Sequence, residues 1–272
     1  MRESMVVTRY KSSGKQLGLR LALVTDLHNC PWDELLRLLK QETPDAILCA
    51  GDILERHEDG ASEWTGSKMD AVINSIGKQS VFEKIMWLLD RITERTGRAT
   101  HKDEDTAIEF LKRLPDIAPT YYSVGNHEWY FTDADYRVFR EFGITLLDNE
   151  DCVAQINGVD VRIGGLSTRY DLDWLKKFSR KDGFKILMCH HPECYRKAVM
   201  NTDLDTLDLV VSGHYHGGQW RMFNRSVYVP RTGLFMKDAV GQFDRLIISA
   251  GVANTTRFPR HGNPCELVMI EI

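Results

Sequence analysis

Five times along this chain a short apolar run stops at a residue able to bind a metal ion. The plainest case is Leu209-Val210-Val211, which reads as a strand covered on both faces and ends at the turn residues Ser212-Gly213. His214 and His216 follow, then Gly217 and Gly218. In an extended segment the two-residue spacing puts both imidazoles on one side. The glycines let the backbone bend close to whatever the histidines hold. The same construction ends in Asp26-Leu27-His28 after Leu19–Thr25, in Gly51-Asp52 after Asp45–Ala50, in Gly125-Asn126-His127-Glu128 after Thr120–Val124, and in His190-His191-Pro192 after Phe184–Cys189.

Taken singly, each has a bland reading. A strand-end Asp is a turn or helix cap in roughly one case in three, and a lone His is more often a satisfied histidine than a ligand. The recurrence is what makes Asp26, His28, Asp52, Asn126, His190, His214 and His216 candidate metal ligands. They offer carboxylates, an amide oxygen and imidazoles but no thiolate, a mixture suited to Mn, Fe, Zn or similar ions rather than a zinc–thiolate site. Seven donors exceed what one tetrahedral ion takes and suit two divalent or trivalent ions sharing a carboxylate.

The strand–helix–strand order of Leu19–Thr25, the amphipathic helix Trp32–Glu42 and Asp45–Ala50 is the βαβ unit of an α/β fold. Ligand sites in such folds lie beyond the carboxyl ends of the strands, where Asp26, His28 and Asp52 fall. Helices are expected at Asp105–Leu114, Asp133–Phe142 and Leu172–Ser179 and from Glu193 onward. Asn157-Gly158 predicts a hairpin turn, so the fold is not purely parallel. Further strands are expected at Thr145–Leu147, Ser226–Val229, Leu246–Ala250 and Leu267–Ile270. The stretch between Ile53 and Pro119 carries helical spacings, notably Met69-Val72-Ile73-Ile76 and Phe82-Ile85-Met86-Leu89-Ile92, and reads as a helical insertion at about 55–102 in a single domain spanning 1–272.

The 272 residues carry a net charge of -4. That argues against general electrostatic binding to nucleic acid or anionic membranes, so any phosphate must be met by local charge. Met1–Gly18 is polar and is not read as a secretory signal, and no apolar run reaches the length of a membrane helix. The expected location is the cytoplasm. The six cysteines include no CxxC pair, which disfavours a zinc ribbon or a disulfide framework.

The blocks Asp26-x-His28, Gly51-Asp52, Gly125-Asn126-His127-Glu128, His190 and Gly213-His214-x-His216, in that order, resemble the calcineurin-like metallophosphoesterase superfamily. The resemblance implies a four-layer α/β/β/α sandwich of two mixed β-sheets flanked by helices. It further implies a first metal held by Asp26, His28, Asp52 and His216, and a second held by Asn126, His190, His214 and the bridging Asp52. His127 would serve as general acid or as a cation at the leaving group, with Glu128 orienting or charge-tuning the imidazole. The implied chemistry is in-line attack of a metal-bridging hydroxide on phosphorus. Gly213–Gln219 with His190-His191-Pro192 looks like the bacterial phosphodiesterase branch, some members of which cleave the pyrophosphate of UDP-2,3-diacylglucosamine while others have no settled substrate, so the resemblance implies a phosphate ester that is nucleotide- or lipid-linked. The chain departs from that branch in its long Asp52–Asn126 segment, and its opening residues are not read as the anchor or export signal many of the branch carry. The expected substrate is a phosphate ester, with a diester favoured over a monoester or phosphoprotein. The alternative from another class is a metal-binding scaffold of the same fold without catalysis, which would have no need of His127. Substrate and oligomeric state stay open.

Overall fold

The computed structural model describes residues 5–56, 104–201, 206–223, 225–229, 232–255 and 259–272. The helical insertion expected over about 55–102 lies outside these residues apart from Glu55 and Arg56.

Two six-stranded mixed sheets face each other. The first runs β1 (Val6–Lys11), β15 (Glu266–Glu271), β2 (Arg20–Val24), β3 (Ala46–Cys49), β4 (Thr120–Ser123), β5 (Thr145–Leu147) in spatial order. The second runs β13 (Gly241–Phe243), β14 (Leu246–Ile248), β9 (Leu209–Ser212), β8 (Phe184–Cys189), β7 (Val159–Leu166), β6 (Glu150–Ile156). Strands β2 to β5 are parallel, as are β7, β8, β9 and β14. The antiparallel partners are β15 against β2, β13 against β14, and β6 against β7. A separate three-stranded antiparallel sheet contains β10 (Trp220–Met222), β11 (Arg225–Val229) and β12 (Gly233–Met236).

The strands read as continuous apolar runs because both of their faces are buried. Alternation assigns each residue to one of three cores. Leu21 and Leu23 of β2 meet Ile186, Met188, Leu209 and Val211 between the sheets. Ala22 and Val24 face the other way, onto α1 (Asp33–Glu42), α2 (Glu104–Arg113) and α3 (Asp133–Phe142) through Leu35, Leu39, Phe110 and Phe139. On the far side of the second sheet, Leu187, Cys189 and Val210 pack with Leu175 and Phe178 of α4 (Leu172–Ser179) and Tyr195 of α5 (Pro192–Asn201). The result is the four-layer α/β/β/α order.

Local signals account for the element ends. Thr132 and Asp135 close a capping box on α3, and Gly143 (φ 73°) ends that helix. Asp171 caps α4 by accepting from the N–H groups of Asp173 and Trp174. Asn157 (φ 48°) and Gly158 (φ 80°) make the tight turn between β6 and β7. Strand β1 lies in the stretch whose polar composition suggested no element. Its side chains are half-exposed at an edge, where Thr8 donates to Glu266 (2.5 Å) and Arg9 pairs with Glu42 (2.8 Å). All six cysteines are free thiols. Among the described residues no helix is long and apolar enough to cross a membrane.

Candidate metal centre

The carboxyl ends of β2, β3 and β4 in one sheet and of β8 and β9 in the other converge at one edge of the sandwich. Two carboxylates form the floor there, Asp26 and Asp52, 0% and 1% exposed. Glycines make room for both. A Cβ on Gly125 would stand 2.2 Å from Asp52 Oδ1, and one on Gly213 would stand 2.4 Å from Asp26 Oδ2. Backbone donors complete the cradle. The His127 N–H donates to Asp52 Oδ1 (2.9 Å), and the His214 N–H is shared between the oxygens of Asp26 (3.2 and 3.3 Å).

Neither two-residue pair is extended. Asp26 (φ 58°), His28 (φ 50°), Asp52 (φ 56°), His214 (φ 72°) and His216 (φ 49°) all sit in the left-handed region. The side chains converge because the chain turns tightly past the strand ends, not because residues two apart share a strand face. Such non-glycine positions cost of order 1–3 kcal/mol each and persist only where the surroundings hold them. Five around two buried carboxylates mark a functional site.

The imidazoles close over this floor. His190 Nε2 lies 3.0 Å from Asp52 Oδ2 and 3.9 Å from Asp26 Oδ1, and its Nδ1 meets the Ala50 carbonyl at 2.8 Å. His28 Nε2 is 3.8 Å from both Asp26 Oδ1 and Asp52 Oδ2. His216 Nε2 is 3.4 Å from Asp26 Oδ1. Asp26, His28 and His216 form one group with ligand atoms within 4.8 Å of one another, and Asp52, His190 and His214 form another; either could hold an ion. Asn126 stands beside them, its buried Oδ1 without a hydrogen-bond partner. Buried polar atoms left unpaired are costly. An unpaired amide oxygen beside two buried carboxylates is an arrangement that a cation would satisfy.

The electrostatics agree. Burial alone would push both carboxyls up, yet the surrounding imidazoles hold Asp26 and Asp52 well below the usual carboxylate range. Burial pulls His28 and His190 down, but Asp26 and Glu55 raise the first to about 9 and Asp52 raises the second to about 10. His216 falls to about 3, mainly through burial, with His28 and Arg260 adding to it; burial and His191 lower His214. Two neutral imidazoles therefore face the floor as ready donors, and two protonated ones compensate its charge when no other cation does.

Sequence reasoning missed Glu55. It is 2% exposed, and its Oε1 lies 3.1 Å from His28 Nδ1 and 3.7 Å from His127 Nδ1, so one carboxylate backs two imidazoles. His127, at the mouth with its side chain 18% exposed, also places Nε2 3.9 Å from Asp52 Oδ2. Glu128 does not orient His127. Its Oε1 accepts from the N–H groups of Ile53 (2.8 Å) and Leu54 (3.0 Å) and from the Tyr122 hydroxyl, and its Oε2 accepts from the Gly125 N–H (2.8 Å). Burial, aided by Asp52, lifts its pKa to about 7. Glu128 thus pins the β3 and β4 loops together from beneath. Arg260 reaches His216 Nδ1 (3.1 Å) while held by the carbonyls of Ala250 (2.7 Å) and Ala253 (2.6 Å). His191 turns to Glu193 (Nδ1–Oε1, 3.1 Å), which also lies 3.8 Å from His214 Nε2.

The sequence pattern of the calcineurin-like phosphoesterase family matches residues 19–218, a span holding every side chain of the two carboxylate–imidazole groups. The chain belongs to the calcineurin-like phosphoesterase family. It is 30% identical over 158 residues to the uncharacterized protein YpbG of Bacillus subtilis, covering 56% of this chain and 57% of that one. It is 26% identical over 175 residues to the uncharacterized metallophosphoesterase Cj0846 of Campylobacter jejuni, covering 60% and 45%. The chain thus spans about half the length of these relatives. Among solved structures, the sulfate thiohydrolase SoxB of Thermus thermophilus superposes with a TM-score of 0.47 at 10% identity, over 94% of this chain and 56% of that one. Membership carries the expectation of a dinuclear metal site, and the His/Asp groups of this family member are placed to supply one.

Proposed function

We propose that this protein is a dinuclear metal-dependent phosphohydrolase acting on phosphodiesters. The observation that supports it most is the central place of Asp52, which lies within 4 Å of His28, His127 and His190 at once. In this reading Asp26, His28, Asp52 and His216 would hold one ion, and Asp52, Asn126, His190 and His214 would hold the other. The donor set fits: two carboxylates, neutral imidazoles and an unpaired amide oxygen suit Mn, Fe or Zn. When bound, two such ions would supply Lewis-acid stabilisation of phosphoryl charge and an activated water.

The chain's own residues do the rest. Glu55 and the Ala50 carbonyl take the outer Nδ1–H of His28 and His190, which fixes the tautomer and leaves each Nε2 facing the carboxylates. His127 stands at the mouth with Glu55 behind its Nδ1, so Glu55 stabilises the protonated imidazole and Nε2 can deliver a proton to the departing oxygen. The preference for diesters rests on the likeness of the Gly213–Gln219 loop to the phosphodiesterase branch.

The test is hydrolysis of a chromogenic aryl phosphodiester beside its monoester, on metal-stripped protein refilled with Mn²⁺. Diester turnover that requires metal and collapses in Asp52→Ala supports the reading. Monoester turnover alone would assign the site to a phosphomonoesterase, and no turnover of either ester with Mn²⁺, Fe²⁺ or Zn²⁺ would favour the non-catalytic scaffold.

A further inference from the structure

Directly after Gly217-Gly218 the chain enters the sheet of β10, β11 and β12. Ser226 pairs with Met236 and Tyr228 with Leu234, and both Ser226 and Tyr228 are buried, so this face packs inward. Alternation turns Arg225, Val227 and Phe235 outward, with Met222 opposite Arg225. Phe223, at the turn between β10 and β11, is 88% exposed, and Met222 and Phe235 are 56% and 59% exposed. These are the three most exposed large apolar side chains among the described residues. The fold has no need of them there. A turn position with φ 50° is ordinarily filled by Gly or Asn, and Phe223 buries nothing in return.

The charge around them is equally uneven. From Gln219 to Lys237 there is no Asp or Glu, while Arg221, Arg225, Arg231 and Lys237 fall within it, in a chain whose net charge is -4. Arg225 and Lys237 are exposed beside the apolar positions. An apolar tip flanked by cations is complementary to an anionic bilayer, whose headgroups meet the cations while the apolar side chains enter the acyl boundary. A single-stranded nucleic acid would instead be met by aromatic faces lining a cationic groove. Of the exposed rings of this sheet, Phe223 stands at a turn tip beside Met222, while Trp220 and Phe235 lie on the two outer strands, β10 and β12.

We propose that the sheet of β10, β11 and β12 is a membrane-docking element that inserts Met222 and Phe223 into the surface of an anionic bilayer, with Arg225 and Lys237 against the headgroups. The whole-chain charge opposes general adsorption, so docking is confined to this face. Strand β10 is three residues long, about 10 Å, and it follows the site residues His214 and His216 closely in the chain. The proposal does not depend on the catalytic reading.

The experiment is cosedimentation of the full chain with vesicles of phosphatidylcholine alone or mixed equally with phosphatidylglycerol. The variants are Met222→Ser with Phe223→Ser, Arg225→Gln with Lys237→Gln, and Asp52→Ala. Wild type and Asp52→Ala should bind the anionic vesicles alike and leave the neutral ones largely unbound. The apolar double variant should bind at least tenfold more weakly, and the charge double variant should lose roughly fivefold per cation removed. All the changed surface side chains are exposed, so thermal unfolding of those variants should match wild type. No binding of wild type to anionic vesicles, or binding that neither double variant weakens, would overturn the proposal. So would capture of a single-stranded oligonucleotide, or Phe223-dependent dimerisation in sedimentation, without vesicle binding.

Discussion

Replacing Glu55 with Gln should impair both metal uptake and turnover, because one carboxylate oxygen serves two imidazoles. Glu55 Oε1 is 3.1 Å from His28 Nδ1 and 3.7 Å from His127 Nδ1. Gln keeps an acceptor of the same size and removes only the charge. At an effective dielectric constant of about 20, a full charge pair about 4 Å apart is worth about 4 kcal/mol. Loss of an outer partner of a metal-binding His typically costs roughly 10–100-fold in affinity or activity, which is about 1.4–2.7 kcal/mol. Glu55→Gln should therefore weaken Mn²⁺ binding and lower kcat/KM within that range. Glu55→Ala should do worse, since His28, 1% exposed, then loses its acceptor altogether. The assay is steady-state hydrolysis across a Mn²⁺ series, with metal affinity measured separately by calorimetry. Saturating Mn²⁺ should recover the part lost through His28 and leave kcat depressed by the part lost through His127. If both variants stay within twofold of wild type in kcat, KM and metal affinity, the role assigned to Glu55 is wrong.

Three other outcomes follow from the same geometry. Gly125→Ala places a Cβ 2.2 Å from Asp52 Oδ1 and must shift the carboxylate by about 1 Å, so kcat/KM should fall by about a hundredfold; activity within threefold of wild type would contradict the packing. In the metal-free protein His28 and His190 are raised to about 9 and about 10, so both carry protons at neutral pH and lose them only as pH climbs through those values. Metal must displace these protons, so calorimetry in buffers of differing ionisation enthalpy should register release of about two protons near pH 7, and affinity should weaken as pH falls. Glu128→Ala strands the N–H groups of Ile53, Leu54 and Gly125, and at about 1–3 kcal/mol each should cost at least about 3 kcal/mol in urea unfolding; a loss under 1 kcal/mol would show that the loops hold together without it.

How much of this was legible in the sequence depends on how local each signal is. Helix α3 carries its cap, its apolar stripe and its closing glycine within Thr132–Gly143, and the expected span, Asp133–Phe142, matches the observed one. The buried strands announce themselves because both faces are covered. Strand β1 does not, since an edge strand with half-exposed polar side chains has little hydrophobic contrast. At the site, the side chains that follow apolar strands were readable as a set, while their supports were not. Glu55 follows Asp52 by a short loop, but only the fold brings it under His127, and Arg260 reaches His216 from a distant segment. Glu128 shows the opposite failure. Adjacency to His127 suggested that it orients the imidazole, but the tight turn at Asn126–Glu128 sends the two side chains apart, Glu128 into the core and His127 to the mouth.

Metal stoichiometry tests the dinuclear centre most directly. Metal-stripped protein titrated with Mn²⁺, with bound metal and aryl diester turnover followed together, should take up two equivalents, and turnover should appear with the second. Asp52→Ala, which removes the shared carboxylate, should lose tight binding of both. Saturation at a single equivalent, or full turnover before the second ion binds, would contradict the dinuclear centre.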